Sequence, residues 1–251
     1  MRENNRKIFA RLKETLFITG FLILFFNVSA QDSIPVINDM EASGGLYQFV
    51  KTRFIEGSPL FMSAIALTMI LGLAFCLERI IYLNLAEINT KKFLSEIETH
   101  LQKKDIAGAQ AFARTTRGPV ASICYQAVSR MGENIEVIDK SITSFGSVQA
   151  GLLEKNLSWI TLFITIAPAL GFLGTVVGMI QAFDDIEQFG DISPAIIAGG
   201  MKVALITTVG GLIVSIVLQL FYNYILAKIE SIVNRMEDDA IKILDLIVKY
   251  K

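Results

Sequence analysis

Hydroxyl side chains inside two long apolar stretches are the groups of this 251-residue chain that are best placed to do chemistry. The stretches cover residues 159–183 and 203–227, and neither contains Asp, Glu, Lys, Arg or His. Within a bilayer, a charged side chain usually marks the working site of a transporter. Because both stretches lack one, their own side chains cannot relay protons. The sequence therefore predicts that a titrating acid is supplied by another chain.

Thr175 and Thr208 occupy similar depths in the two stretches. With a rise of about 1.5 Å per helical residue, each hydroxyl is expected roughly 10 to 12 Å below the outer edge of its helix. Two antiparallel helices would therefore place both threonines at one level.

Further small and hydroxyl-bearing residues extend this pattern along both stretches. Ala204, Thr208, Gly211 and Ser215 recur at helical spacing and share one face of the last helix. The pattern favours either a polar strip facing a partner or ordinary helix packing, in which threonine bonds a carbonyl of its own helix. The predicted proton-pathway and partner-facing residues are Thr161, Thr165, Thr175, Thr207, Thr208, Gly211 and Ser215, and the predicted helix-packing residues are Pro168, Gly171, Gly174 and Gly178.

The composition is that of a polytopic membrane protein, with 53% hydrophobic and 19% charged residues. A net charge of -1 argues against a nucleic acid partner, because phosphate binding requires an excess of basic residues. The two cysteines, Cys76 and Cys124, have no metal-type spacing and are not expected to form a disulfide. Since no nucleophile elbow, phosphate loop or acid pair is present, we expect neither an enzyme nor a cofactor.

Charge and hydropathy along the chain predict an all-α membrane protein with three transmembrane helices extended by cytoplasmic helices. Lys and Arg are spread along residues 84–158, whereas residues 184–200 contain four acids and no base. The positive-inside bias then places the first segment in the cytoplasm and the mature N-terminus on the outer side of the membrane. The predicted order is a signal peptide at 1–30, an outer segment with a surface helix at 31–58, transmembrane helices at 59–83, 159–183 and 201–227, a cytoplasmic helical domain at 84–158, an outer loop at 184–200 and a cytoplasmic C-terminal helix at 228–251. The outer side is the periplasm if the membrane is the bacterial inner membrane that the family resemblance described below implies.

Two parts of this order have alternatives. The apolar run before Ala30 could remain as an uncleaved anchor helix, which would add a fourth span, and residues 31–58 could form a loosely ordered linker. Local signals predict where later helices begin. Ser58 and Pro59 suit the start of the first span, Asp105 suits an N-cap, and Gly118 before a proline breaks a helical run.

The amino-acid sequences of residues 167–179 and 204–212 closely resemble the two signature helices of the MotA/TolQ/ExbB proton-channel family, with the ExbB branch most similar. The most specific element is Leu-Gly-Thr-Val-x-Gly, which begins at Leu173. The resemblance includes Glu78 and Arg79 at the end of the first span and extends over nearly all of the chain after Ser58.

This resemblance implies an inner-membrane motor stator driven by the proton motive force. In the family, a homopentamer in the lipid bilayer surrounds the single membrane helices of an ExbD-like partner and energises a TonB-like protein for outer-membrane transport. The partner's membrane Asp carries the proton and faces threonines that match Thr175 and Thr208 here. Many ExbB-branch members carry a Glu where this chain has Val203. A role for that carboxylate in proton entry is therefore not expected in this protein.

Alternatives of other kinds stay open on the sequence. A TolQ-like envelope subunit or a gliding or secretion motor would use the same helices for a different task. A passive membrane scaffold would use the small residues for packing alone.

Overall fold

The computed structural model describes residues 46–189 and 194–251, and its regular structure in those ranges is entirely α-helical. The predicted signal peptide, residues 31–45 of the following segment and residues 190–193 of the predicted loop lie outside the described residues. The described helices are α1 Leu46–Glu56, α2 Pro59–Ala86, α3 Thr90–Gln102, α4 Ile106–Thr115, α5 Pro119–Ser129, α6 Ile135–Leu153, α7 Leu157–Phe189 and α8 Pro194–Tyr250.

The chain divides into two compact units, at the junction between Glu56 and Gly57. In the first unit, α1 carries an ion pair of 2.9 Å between the Arg53 guanidinium and the Glu56 carboxylate. A helix is therefore present where a surface helix was predicted. Its position on a membrane stays a prediction.

Three helices of the second unit, α2, α7 and α8, each contain a stretch long and apolar enough to cross a membrane. This confirms the predicted fold, an all-α multi-pass membrane protein. Only 22% to 28% of each apolar stretch is buried within one chain, so most of its surface is left for lipid or for other chains. Pro59 occupies the first turn of α2 as predicted. Ser58 precedes it at a φ of 62° and makes no side-chain cap bond.

The three long helices pack side by side around a shared apolar core. The Phe75 ring of α2 stacks on Trp159 of α7 at 6.1 Å between ring centroids and contacts Phe163 at 5.9 Å. Leu218 and Ile225 of α8 are fully buried in the same cluster. Thus α2 covers one side of the α7–α8 pair and leaves the opposite side open.

The remaining helices, α3 to α6, pack with the C-terminal part of α8 around a second core, here called the helical extension. Its buried side chains include Phe93, Ile97, Ile138, Ile243 and Ile247. Apolar residues at helical spacing give each of these helices one face to bury in this core.

The predicted helix starts in the extension are confirmed. Asp105 caps α4, since its carboxylate accepts the Gly108 backbone N–H at 2.9 Å. That bond, followed by one to His100 at 3.0 Å, lowers the pKa of the Asp105 carboxyl. Gly118 adopts a φ of 114°, which favours glycine, and α5 begins at the next residue, Pro119.

Several observed helix ends lie beyond the predicted ones. α7 continues to Phe189 and α8 begins at Pro194, so much of the predicted loop 184–200 is helical. α2 likewise extends to Ala86, past the predicted end at residue 83. The predicted boundary between residues 227 and 228 falls inside α8, a continuous helix of 57 residues. At about 1.5 Å per residue, that helix is about 85 Å long.

Candidate functional site

Glycines allow the backbones of α7 and α8 to touch. A Cβ at Gly211 would lie 2.4 Å from the Ala167 carbonyl oxygen, and one at Gly171 would lie 2.9 Å from the Thr207 carbonyl oxygen. At Gly174 the nearest atom would be the Thr207 hydroxyl oxygen, at 2.7 Å. Side chains at these positions would push the helices apart, so glycine sets their spacing.

Two other predicted packing residues lie on the same helix, α7. A Cβ at Gly178 would make an ordinary contact with the Ala204 backbone at 3.4 Å. Pro168 lies inside α7 and is half-buried.

The close contact brings the Thr175 and Thr208 hydroxyls together. They form a hydrogen bond in which either oxygen can be the donor. Thr175 also lies 3.1 Å from the Ala204 carbonyl oxygen, and Thr208 lies 3.3 Å from the Gly171 carbonyl oxygen. The prediction that the two threonines share one level is confirmed. Their role in a proton pathway stays a prediction.

The chemistry of this pair follows from its hydrogen-bond inventory. Each hydroxyl has one proton to donate and two lone pairs to accept with. The Gly171 and Ala204 carbonyl oxygens lie within 3.1 to 3.3 Å of both hydroxyls and can take a proton from either. A half-buried pair of this kind can donate to a carboxylate or accept from a protonated carboxylic acid. It does this without itself becoming charged.

Thr207 does not lie on the surface that holds Thr175 and Thr208, and the partner-facing role predicted for it stays a prediction. Its side chain is fully buried against Gly174 and donates to the Ala204 carbonyl oxygen of its own helix at 2.8 Å. The reason is geometric, since consecutive helical residues point about 100° apart.

Of the other predicted site residues, two lie in the contact between α7 and α8 and two are exposed. The Ser215 hydroxyl donates across the interface to the Ile164 carbonyl oxygen at 2.9 Å, and Gly211 serves the close backbone approach. Thr161 and Thr165 are exposed on α7, and each donates to a carbonyl of its own helix.

A charged group is buried near the end of α2. Arg79 is 3% exposed, and its guanidinium forms a two-point ion pair with the neighbouring Glu78, with Nη2 to Oε1 at 2.6 Å. The same guanidinium lies 4.6 Å above the Tyr82 ring centre. These contacts within one chain fit an anchor for the helix end.

Sequence reasoning missed one polar pair in the last span. The Gln219 side-chain amide donates to the Asn223 side-chain oxygen at 3.2 Å, on a part of α8 open to its surroundings. Two amides one turn apart within an apolar run were the available signal. As for metals, no cluster of three His, Cys, Asp or Glu side chains occurs within residues 46–189 and 194–251.

Residues 115–238 match the family model described as the MotA/TolQ/ExbB proton channel family. Similar proteins include an ExbB homolog of Methanothermobacter thermautotrophicus, described as a biopolymer transport protein. It is 28% identical over 210 residues, which cover 81% of this chain and 70% of the homolog.

Two further relatives carry related names. An ExbB-like biopolymer transport protein of Synechocystis is 26% identical over 61% of this chain and 74% of its own length. The biopolymer transport protein ExbB of Helicobacter pylori is 37% identical over a shorter stretch, 30% of this chain and 52% of that protein.

Proposed function

Because the chain belongs to the MotA/TolQ/ExbB proton channel family, we propose that it is an ExbB-like stator subunit of a motor driven by the proton motive force. In this proposal Thr175 and Thr208 receive the titrating carboxyl group of an ExbD-like partner helix. The complex then energises a TonB-like protein for outer-membrane transport.

The observation that carries the proposal is the hydroxyl pair between α7 and α8. A carboxyl group in a low-dielectric environment has its pKa raised, so protonated and charged forms both become accessible. The charged form is stabilised by donors, and the neutral form needs an acceptor for its O–H. The pair offers both, because a hydroxyl group can donate and accept.

The distribution of charge supports an orientation for the complex. The helical extension contains many Lys and Arg side chains, while residues 184–200 contain only acidic charges. By the positive-inside rule, the extension then lies in the cytoplasm and the α7–α8 connection lies in the periplasm. An inner-membrane location with a periplasmic N-terminus follows within the proposal.

The large uncovered surface of the spans supports an assembly of several copies. Most of each apolar stretch is exposed in one chain, and the side of the α7–α8 pair away from α2 bears the hydroxyl pair. We propose that five copies turn this side toward the partner helices, as the family resemblance implies.

Replacing both hydroxyls tests this role. In the complex purified from membranes and reconstituted in vesicles, Thr175→Val with Thr208→Val should lower dye-detected proton flux by at least about a hundredfold, since two donor-acceptor groups at the reacting carboxyl are removed. Co-purification of the partner should be unchanged.

A matched control is the neighbouring Thr207→Val, which makes the same chemical change at a buried site bonded to its own helix. It should retain most of the flux. Undiminished flux in the double variant would refute the proposal. If the complex energised outer-membrane transport equally well without a proton gradient, the passive scaffold would be favoured.

A further inference from the structure

The open side of the α7–α8 pair carries a second polar region nearer the helical extension. Its members are Gln219 and Asn223 of α8 together with Thr161 and Thr165 of α7. Among the described residues, the Gln219 and Asn223 side chains bond only to each other, which leaves amide N–H and carbonyl groups of both unused.

Helix geometry places the amide pair on the same side as the hydroxyl pair. At about 100° per residue, Gln219 and Asn223 project about 20° and 60° from Thr208 around α8. Leu218 projects about 80° the other way, where it would meet a side chain on Gly72 of α2 at 2.6 Å. The amide pair therefore faces away from α2.

The two exposed threonines of α7 lie on the same side. Thr161 and Thr165 project about 40° and 80° from Thr175, whereas Phe163, which contacts α2, projects about 120° in the opposite sense. The Ser215–Ile164 hydrogen bond fixes the register of the antiparallel helices. It puts Thr165 near the level of Ser215, and Thr161 near the level of Gln219.

The depths of these groups define a route. The Asn223 level corresponds to the start of α7, where the wall formed by the two helices begins. From there to the level of Thr165 is about 13 Å, and a further interval of about 9 Å leads to Thr208. That last interval is apolar on its exposed side, where Leu212 is 47% exposed and Phe172 is 65% exposed.

Exposed amides within hydrocarbon are costly, because each unsatisfied polar group loses its hydrogen bonds to water. The cost disappears if water reaches them. We propose that Gln219, Asn223, Thr161 and Thr165 line a water-filled inner vestibule through which the proton leaves the carboxyl group at the Thr175–Thr208 pair. This inference rests on the proposed function.

The vestibule explains how a proton could cross between a fixed carboxyl group and the inner surface. A proton that leaves the carboxyl group at the outer hydroxyl pair then has to cross only the short apolar interval to reach bound water. The amide and hydroxyl groups orient that water by accepting and donating hydrogen bonds. They remain neutral and gain or lose no net proton.

The test uses the complex purified with its partner and reconstituted in vesicles, with Gln219→Leu and Asn223→Leu combined. Proton flux should fall at least about tenfold, because the proton must then cross a longer dry interval. The partner should still co-purify. Infrared spectra should still show a protonated carboxyl band when the outer side is acidified, because the defect lies on the inner side.

A conservative variant distinguishes water binding from mere structure. Gln219→Asn combined with Asn223→Gln keeps two amides one turn apart and should retain at least about half of the flux, since amides of either length can bind water. Undiminished flux in the Leu variant would overturn the vestibule, and so would loss of the partner, which would make the pair an assembly contact.

The outcomes separate this inference from the proposed function. If the Leu variant kept full flux and Thr175→Val with Thr208→Val lost it, the vestibule proposal alone would be refuted. Full flux in the threonine variant would remove the proposed function itself.

Discussion

The two halves of α8 are held to their neighbours by different forces. In the membrane-spanning half, glycine brings the α7 and α8 backbones together, and hydroxyl groups such as Ser215 bond across to a main-chain carbonyl. In and next to the helical extension, ion pairs join the C-terminal half of α8 to other parts of the chain. Lys249 pairs with Glu98 at 3.0 Å, and Glu87 binds both Arg235 and Lys228.

This difference follows from the solvent of each half. In water a surface ion pair costs little to form and contributes little, whereas in hydrocarbon a charge is expensive and close packing replaces it. At the α7–α8 contact the polar side chains are therefore neutral and bonded to neighbouring hydroxyl or main-chain groups. A site built this way can receive a carboxyl group in either protonation state without a competing charge.

Substitution at the glycine contact should have the largest effect. In Gly211→Ala, the new Cβ would lie 2.4 Å from the Ala167 carbonyl oxygen, which belongs to the backbone and cannot rotate away. Overpacking should destabilise the protein by about 1 to 3 kcal/mol. The measurement is the thermal unfolding midpoint in detergent.

The adjacent glycine provides a matched control for this prediction. A Cβ at Gly210 would meet only the flexible end of Met62, at 3.4 Å. Gly210→Ala should therefore be neutral or slightly stabilising, because alanine favours the helix. Equal midpoints for the two variants would show that close backbone contact does not hold the spans together.

A smaller effect is expected at the Asp105 cap in the extension. Its hydrogen bonds to the Gly108 N–H and to His100 hold the carboxyl pKa below its usual value. A lowered folded-state pKa gives stability that is present above the unfolded pKa, about 3.9 for Asp, and that is lost as pH falls through the folded value.

Asp105→Ala should accordingly lower the unfolding midpoint of the extension at pH 7, because both bonds are lost. The difference from the unchanged protein should shrink as the pH falls below about 4. Circular dichroism melts across this range would check it. A difference that grows on acidification would contradict the assigned hydrogen bonds.

The smallest effect is expected at the ion pairs of Glu87. Its carboxylate is 39% exposed and binds Lys228 and Arg235, so Glu87→Gln should cost no more than about 1 kcal/mol. Raising the salt concentration should reduce the difference in unfolding midpoint between the two proteins, because exposed charges are screened. If Glu87→Gln lost as much stability as Gly211→Ala, the two halves of α8 would not differ in what holds them to their neighbours.

Local chemistry predicted the features that depend on neighbours in sequence. The three spans follow from uncharged apolar length, and the Asp105 cap and the helix start at Pro119 follow from the preferences of single residues. The common level of Thr175 and Thr208 also followed from depth, because antiparallel neighbours must match in height.

Two features differ from the sequence prediction. One depends on how a third helix packs, and the other is a helix boundary that was placed where the membrane span was expected to end. Thr207 is fully buried whereas its neighbour Thr208 is half-buried, and helical spacing alone does not reveal which side of α8 the other helices cover. α8 continues past Ala227 because no Gly or Pro follows to end it. The Gln219–Asn223 pair was not predicted because neither side chain carries a charge or a hydroxyl group, the two features on which the site prediction was based.

The central claim is that this chain supplies a neutral hydroxyl site and that the titrating acid belongs to a partner. Proton flux through vesicles containing this chain alone, compared with the complex purified with its partner, tests it most directly. The account predicts gradient-driven flux only with the complex, and flux lost on replacing the partner's membrane carboxyl group by its amide. Equal flux from this chain alone would contradict it.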